Sequence, residues 1–125
     1  MTENELSNIV IGEAIYVHQT LGPGLLESVY EECLVHRLIK RGLHVERQKP
    51  IPLIFEEVKL ECGFRCDILV ERLLIVEVKA TDALNDVHLA QVLTYLKLTG
   101  VKLGLLMNFN VVRLKDGIKR VVNNL

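Results

Sequence analysis

Two apolar runs, FRCDILV and LLIVEVKA, lie end to end with only Glu71 and Arg72 between them, and each carries charge where a strand should be apolar. A gap that short predicts an antiparallel hairpin. Glu77 and Lys79 stand two apart, so both side chains leave the same face of their strand. Leu74, Val76 and Val78 occupy the other face. Asp67 is set among apolar residues of the preceding strand. Burying such charges costs free energy unless they meet partners. One reading is an edge strand whose Glu77 and Lys79 point to water. The other is a site where Asp67 and Glu77 converge on a divalent cation with Lys79 beside it. Register separates the two. A two-residue loop at Glu71-Arg72 sets Asp67 opposite Val76, with Asp67 and Glu77 on different faces. The site therefore requires a three-residue loop or a bulge.

The rest of the chain supplies the scaffold. Thr2 and Glu5 have capping-box spacing, and Leu6, Ile9, Val10, Ala14 and Val17 follow at helical intervals, predicting a helix to about residue 19. LGPG at residues 21–24 breaks it. A second helix is expected over about residues 25–41, stopped by Gly42. HVERQ, residues 51–55 and residues 58–61 read as strands, with Pro50 and Pro52 suited to a sheet edge. Beyond LLIVEVKA, the segment DVHLAQVLTYLKLTG returns to helical spacing, with Val87, Ala90, Leu93, Tyr95 and Leu98 expected near one side. VKLGLLMNF is a further buried strand, and Asp116-Gly117 in the segment after it signals a hairpin. This order predicts a single α/β layer sandwich, one domain over residues 1–125, with N-terminal helices at about 3–41 and the core sheet and helix at about 44–121.

Composition narrows the function. Lys and Arg number 15 against 16 Asp and Glu, a net charge of −1, so no general electrostatic attraction to nucleic acid is available. Binding to nucleic acid would have to be local. Arg37, Lys40, Arg41, Arg47 and Lys49 form one candidate basic patch, and Arg113, Lys115, Lys119 and Arg120 another; each also reads as a solvated face. No apolar run approaches a membrane span and the N-terminus lacks a signal-peptide pattern, so a cytoplasmic protein is expected, with reduced Cys33, Cys62 and Cys66. A zinc set of Cys62 and Cys66 with His36 or His88 is disfavoured because no second cysteine pair accompanies it. Two polar pairs could complete the wall of a site. Gln91 and Tyr95 share a helix face, and Glu27 and Tyr30 lie one turn apart after Gly24; a helix flank and a local cap are the alternatives.

These residues resemble a known family. GLLESVY, residues 24–30, fits the GxxExxY signature of a group of small bacterial and archaeal proteins assigned to the PD-(D/E)XK nuclease superfamily. RCDILV, LLIVEVKA and the helix with QVLTYL follow in the family's order. Cys66 stands where the superfamily pattern writes proline. The resemblance implies a restriction-endonuclease-like three-layer sandwich, a mixed central sheet flanked by helices. It also implies a site with Asp67 as first acidic ligand, Glu77 and Lys79 as the E-x-K pair, Gln91 and Tyr95 as the following helix motif, and Glu27 as the acid of the first helix motif. With these go Mg²⁺ or Mn²⁺ held by Asp67, Glu77 and the backbone carbonyl of Val78, and metal-dependent hydrolysis of DNA, or else RNA. A catalytically silent nucleic-acid-binding or protein-interaction module on the same fold is the competing expectation. A homodimer is a third, suggested by the apolar C-terminal strands.

Overall fold

The computed structural model describes residues 1–61 and 63–125. Cys62 lies outside the described residues, and with it part of the disfavoured zinc set. Helices α1 (Glu3–Leu21) and α2 (Glu27–Lys40) are followed by strands β1 (Val45–Pro50), β2 (Leu53–Phe55), β3 (Val58–Leu60), β4 (Arg65–Val70) and β5 (Leu74–Lys79). Helix α3 (Asp86–Thr99), β6 (Leu103–Asn108), a one-turn 3-10 helix (Leu114–Gly117) and β7 (Ile118–Val122) complete the order.

Five strands form one mixed sheet in the order β1-β4-β5-β6-β7, antiparallel except for β5 beside β6. That parallel pair needs a crossover, and α3 provides it. Helices α1 and α2 cover one face, where Leu6, Val10, Ala14, Leu34 and Leu38 pack with Val70, Val76, Leu105 and Met107. Helix α3 covers the other, where Val92, Tyr95 and Leu96 meet Ile75, Cys66 and Leu106. This is the expected three-layer α/β sandwich.

The central strands read as continuous apolar runs because helices lie on both sides of them, and every residue of β6 is buried. Of the apolar C-terminal strands, β6 is therefore taken up by the core, while β7 keeps an exposed side that includes Val122. Edge strand β1 is half-exposed and ends at Pro50, where a missing N–H does no harm. Strands β2 and β3 form a separate two-stranded ribbon that exposes Ile54, Phe55 and Val58.

Two local expectations are corrected. Helix α3 does not pack through Val87 and Ala90, which are exposed; it packs through Val92, Tyr95 and Leu96, with Leu89 and Leu98 at the margins. Gly104 explains the choice, because a Cβ there would lie 2.7 Å from Val92 Cγ1, so the helix descends onto β6 at Val92. Asp116-Gly117 does not make a tight hairpin either. It closes the 3-10 turn in a longer connection from β6 to β7, and glycine is required because a Cβ would collide with the Asn108 carbonyl oxygen.

The LGPG break is held by Tyr30. Its hydroxyl donates to the Gly22 carbonyl at 2.6 Å and accepts from the Leu25 N–H at 3.0 Å, while the ring stacks on Phe109 at 4.6 Å. Tyr30 is thus tied to the turn between the helices. Tyr30→Phe keeps the stacking and removes both hydrogen bonds, which should cost about 1–3 kcal/mol. Thermal denaturation measures it; an unchanged midpoint would mean that the turn is held by other contacts.

Candidate active site

Strands β4 and β5 pair through Ile68↔Val76, Leu69↔Ile75 and Val70↔Leu74. The connecting loop is therefore the three residues 71–73, and Glu71 and Arg72 both take left-handed backbone (φ 52 and 55). Continuing this register brings Asp67 to Glu77. There the backbone ladder gives way to side chains. The Asp67 N–H donates to Glu77 Oε1 at 3.1 Å, and the Val78 N–H donates to Asp67 Oδ2 at 2.8 Å. Each acid takes a backbone bond that the opposite strand would otherwise make, so the strands can separate beyond Ile68 without leaving buried N–H groups unpaired.

The neighbouring pair β1–β4 is interrupted at the same level. Arg47 pairs with Ile68 and Lys49 with Cys66, but Gln48 has left-handed backbone (φ 52) and makes no ladder pair with Asp67. The interruption changes side-chain alternation. Cys66 and Ile68, two apart in one strand, pack on opposite faces of the sheet. Asp67 is thereby left at the open mouth between β4 and β5, beside a cavity of about 230 Å³ lined by Glu27, Ser28, Glu31, Gln48, Asp67 and Val78.

Electrostatics follow from this placement. Glu77 is only 3% exposed. Burial, reinforced by the facing Asp67 carboxylate, pushes its carboxyl up to about 9, while the Lys79 charge works in the opposite direction. Burial and then the charges of Glu77 and Asp67 push the Cys66 thiol up to about 12, so this cysteine is a packing residue and not a nucleophile at neutral pH. The Tyr95 hydroxyl is raised by burial first and by the nearby carboxylates of Glu77 and Asp67 second.

Of the residues singled out from the sequence, Asp67, Glu77, Lys79 and Tyr95 occupy this one region. Glu27 joins them from the first turn of α2, its Oε2 accepting from the Ala80 N–H at 3.4 Å. Gln91 is exposed, one turn before Tyr95, and makes no side-chain hydrogen bond among the described residues. Lys79 is half-buried and has no salt-bridge partner among them.

Sequence reasoning passed over Glu31, Gln48 and Asn108. Glu31 is buried and accepts from Arg47 Nε and Gln48 Nε2, both at 2.7 Å. Its spacing of four from Glu27 placed it on the same helix face and was the available signal. Asn108 is buried at the end of β6, accepts from the Thr81 N–H at 3.1 Å and donates to the Thr81 carbonyl at 2.9 Å. That clasp depends on a strand neighbour remote in sequence and has no local signature. Four of the five residues of the middle basic patch are paired: Arg37 and Arg41 bond Glu13, Arg47 bonds Glu31, and Lys49 bonds Glu46.

The donor set suits a hard cation. Asp67 and Glu77 offer carboxylate oxygens, and a cation between them would offset the burial and mutual repulsion that raise the Glu77 carboxyl. Among the described residues no three His, Cys, Asp or Glu side chains are arranged so that together they could hold a metal ion. A two-carboxylate set fits an ion that keeps several waters, as Mg²⁺ does, and does not fit a closed zinc site.

The α/β sandwich thus presents an acid pair where two strands of a mixed sheet diverge, with a lysine two residues further along. Residues 4–121 match the family model of the PD-(D/E)XK nuclease superfamily, and the chain belongs to that superfamily. Its sheet and flanking helices are consistent with a restriction-endonuclease-like fold. No curated protein and no solved structure matches the chain. Among the described residues, no helix is long and apolar enough to cross a membrane.

Proposed function

We propose that this chain is a metal-dependent nuclease of the GxxExxY type that hydrolyses phosphodiester bonds of DNA, with RNA as the alternative substrate, and that residues 1–125 act as one domain. The crossed bonds where β4 and β5 diverge carry this reading, the Asp67 N–H to Glu77 Oε1 and the Val78 N–H to Asp67 Oδ2, because they hold two acids side by side, Asp67 facing the cavity and Glu77 buried behind it, with Lys79 two residues further along β5. A bound Mg²⁺ or Mn²⁺ would supply an activated water and stabilise charge on the scissile phosphate. Asp67, Glu77 and the Val78 carbonyl would hold it.

The chain's own groups have distinct tasks. Asp67 is already held by the Val78 N–H and offers its remaining lone pairs to the cavity. Glu77 must release a proton before it can act as a ligand, which makes metal uptake proton-linked. Lys79 orients the attacking water and balances charge as the phosphorane forms. Tyr95 closes the α3 side with a hydroxyl that stays protonated. Glu27 fixes the start of the segment after Lys79 through the Ala80 N–H, and Gln91, exposed on the α3 flank, would meet the substrate.

The test is cleavage of labelled single- and double-stranded DNA and RNA by purified protein with Mn²⁺, Mg²⁺ or EDTA, alongside Asp67→Asn. Cutting should require metal and fall at least about 100-fold in the variant. A wild type that neither cuts nor binds Mn²⁺ sinks the reading. A catalytically silent protein-interaction module on the same fold has one observation in its favour: Arg37, Arg41, Arg47 and Lys49 pair with the chain's own acids at a net charge of −1, which leaves little free positive charge for a phosphate backbone. A folded protein that neither cuts nor binds nucleic acid, with or without Mn²⁺, would select it.

A further inference from the structure

Gln48 is an exposed polar residue in an edge strand, and three features set it apart. Its backbone is left-handed (φ 52), a conformation that crowds the Cβ of any non-glycine residue against its own backbone. It sits at the one level where the β1–β4 ladder skips a pair, opposite Asp67. Its side-chain amide bridges two acids, donating to Glu31 Oε1 at 2.7 Å and to Asp67 Oδ1 at 3.3 Å. Strain of this kind persists only where surrounding contacts hold it, and it concentrates at functional sites.

Those contacts are visible. Arg47 and Gln48 are consecutive in β1, and a regular strand would send them to opposite faces. The left-handed residue cancels that alternation, so both reach the buried Glu31 carboxylate on α2. Glu31 is in this way supplied with a donor for each oxygen. The Gln48 amide, so anchored, covers Asp67 Oδ1, while the Val78 N–H covers Oδ2. Asp67 is oriented from both sides, by β5 through a backbone amide and by β1 through Gln48.

We infer that Gln48 is a positioning residue for Asp67, held in place by Glu31, and that its side chain sets the geometry with which Asp67 meets a divalent cation. The inference rests on the metal-dependent reading above. It assigns Gln48 no contact with the reacting atoms. It also separates the two roles of the position: the backbone turn needs only tolerance of positive φ, whereas the orientation of Asp67 needs the amide.

Gln48→Gly keeps the turn without strain and removes the amide, and Gln48→Asn keeps the turn but shortens the reach. Mn²⁺ binding is measured by calorimetry for wild type and both variants. In parallel, a double-mutant cycle of Gln48→Gly with Asp67→Asn is followed by denaturation in EDTA. Both single variants at Gln48 should fold, bind Mn²⁺ about 10-fold more weakly than wild type, and show non-additivity with Asp67→Asn of at least about threefold in the unfolding equilibrium constant. If wild type binds Mn²⁺ and Gln48→Gly binds it equally with an additive cycle, the inference is overturned and the nuclease reading stands. If wild type shows no Mn²⁺ binding that Asp67→Asn removes, the metal reading fails. The EDTA cycle then decides alone: additivity overturns the role of Gln48, and coupling supports it as the group that orients Asp67.

Discussion

Lys79→Ala should lower metal-dependent cleavage by about 10²–10⁴-fold while leaving the folded protein intact. Lys79 is half-buried at the last position of β5 and makes no salt bridge among the described residues, so its removal breaks no ion pair in the core. Its ammonium nevertheless lies close enough to Glu77 to favour the ionised carboxylate. Truncation should therefore leave the Mn²⁺ affinity within about tenfold of wild type, because the ligand carboxylates remain. Circular dichroism and the thermal midpoint check the fold, and single-turnover cleavage at saturating Mn²⁺ checks the role. Cleavage by the variant at the wild-type rate would remove Lys79 from the mechanism. Lys79→Arg is not expected to restore full activity, since a planar guanidinium presents its donors differently from an ammonium.

The second large effect concerns stability and runs against the usual sense of a site mutation. Glu77→Gln should stabilise the metal-free protein at pH 8. In the unfolded chain the carboxyl titrates near the ordinary value of about 4.3; in the fold, burial and Asp67 push it up to about 9. Between those limits the folded state holds a proton that the unfolded state has lost. Stability is full below the unfolded value and declines as pH rises towards the folded one, by up to about 1.4 kcal/mol per pH unit. The Glu77→Gln variant escapes that decline, and its side-chain amide can donate to Asp67 as the protonated carboxyl does. In EDTA at pH 8 the variant's thermal midpoint should exceed wild type by about 5 °C or more, and the two should converge near pH 4. Adding Mn²⁺ should raise the wild-type midpoint and leave the variant's nearly unchanged. A variant no more stable than wild type at pH 8 would mean that Glu77 ionises in the apo fold.

The fold was legible because its strongest signals are local. Period-3.6 spacing placed α1 and α2, LGPG and Gly42 bounded them, and uninterrupted apolar runs marked the strands that helices cover on both faces. The anomaly of charge within apolar strands directed attention to Asp67, Glu77 and Lys79, and the three-residue loop meets the register condition for bringing the two acids together. What escaped were features set by tertiary context. The buried face of α3 depends on where Gly104 lets the helix approach, and the role of Gly117 depends on the Asn108 carbonyl. Glu31 and Gln48 meet only because β1 loses its alternation at a residue with no propensity for doing so. Glycine or asparagine at position 48 would have flagged the break; glutamine conceals it.

The Asn108 clasp bears on how Lys79 can move. The Phe109 N–H donates to the Lys79 carbonyl at 2.8 Å, and Asn108 bonds both the N–H and the carbonyl of Thr81. The backbone beneath the lysine is thus bolted to β6 on one side, and Glu27 touches it at Ala80 from the other. Lys79 is a lever on a fixed pivot. Its ammonium explores space only through its own side-chain torsions, on a picosecond-to-nanosecond scale, whereas a loop-borne group would need slower collective motion to reach the same point. A substrate arriving at the mouth between β4 and β5 meets a lysine whose search is already short.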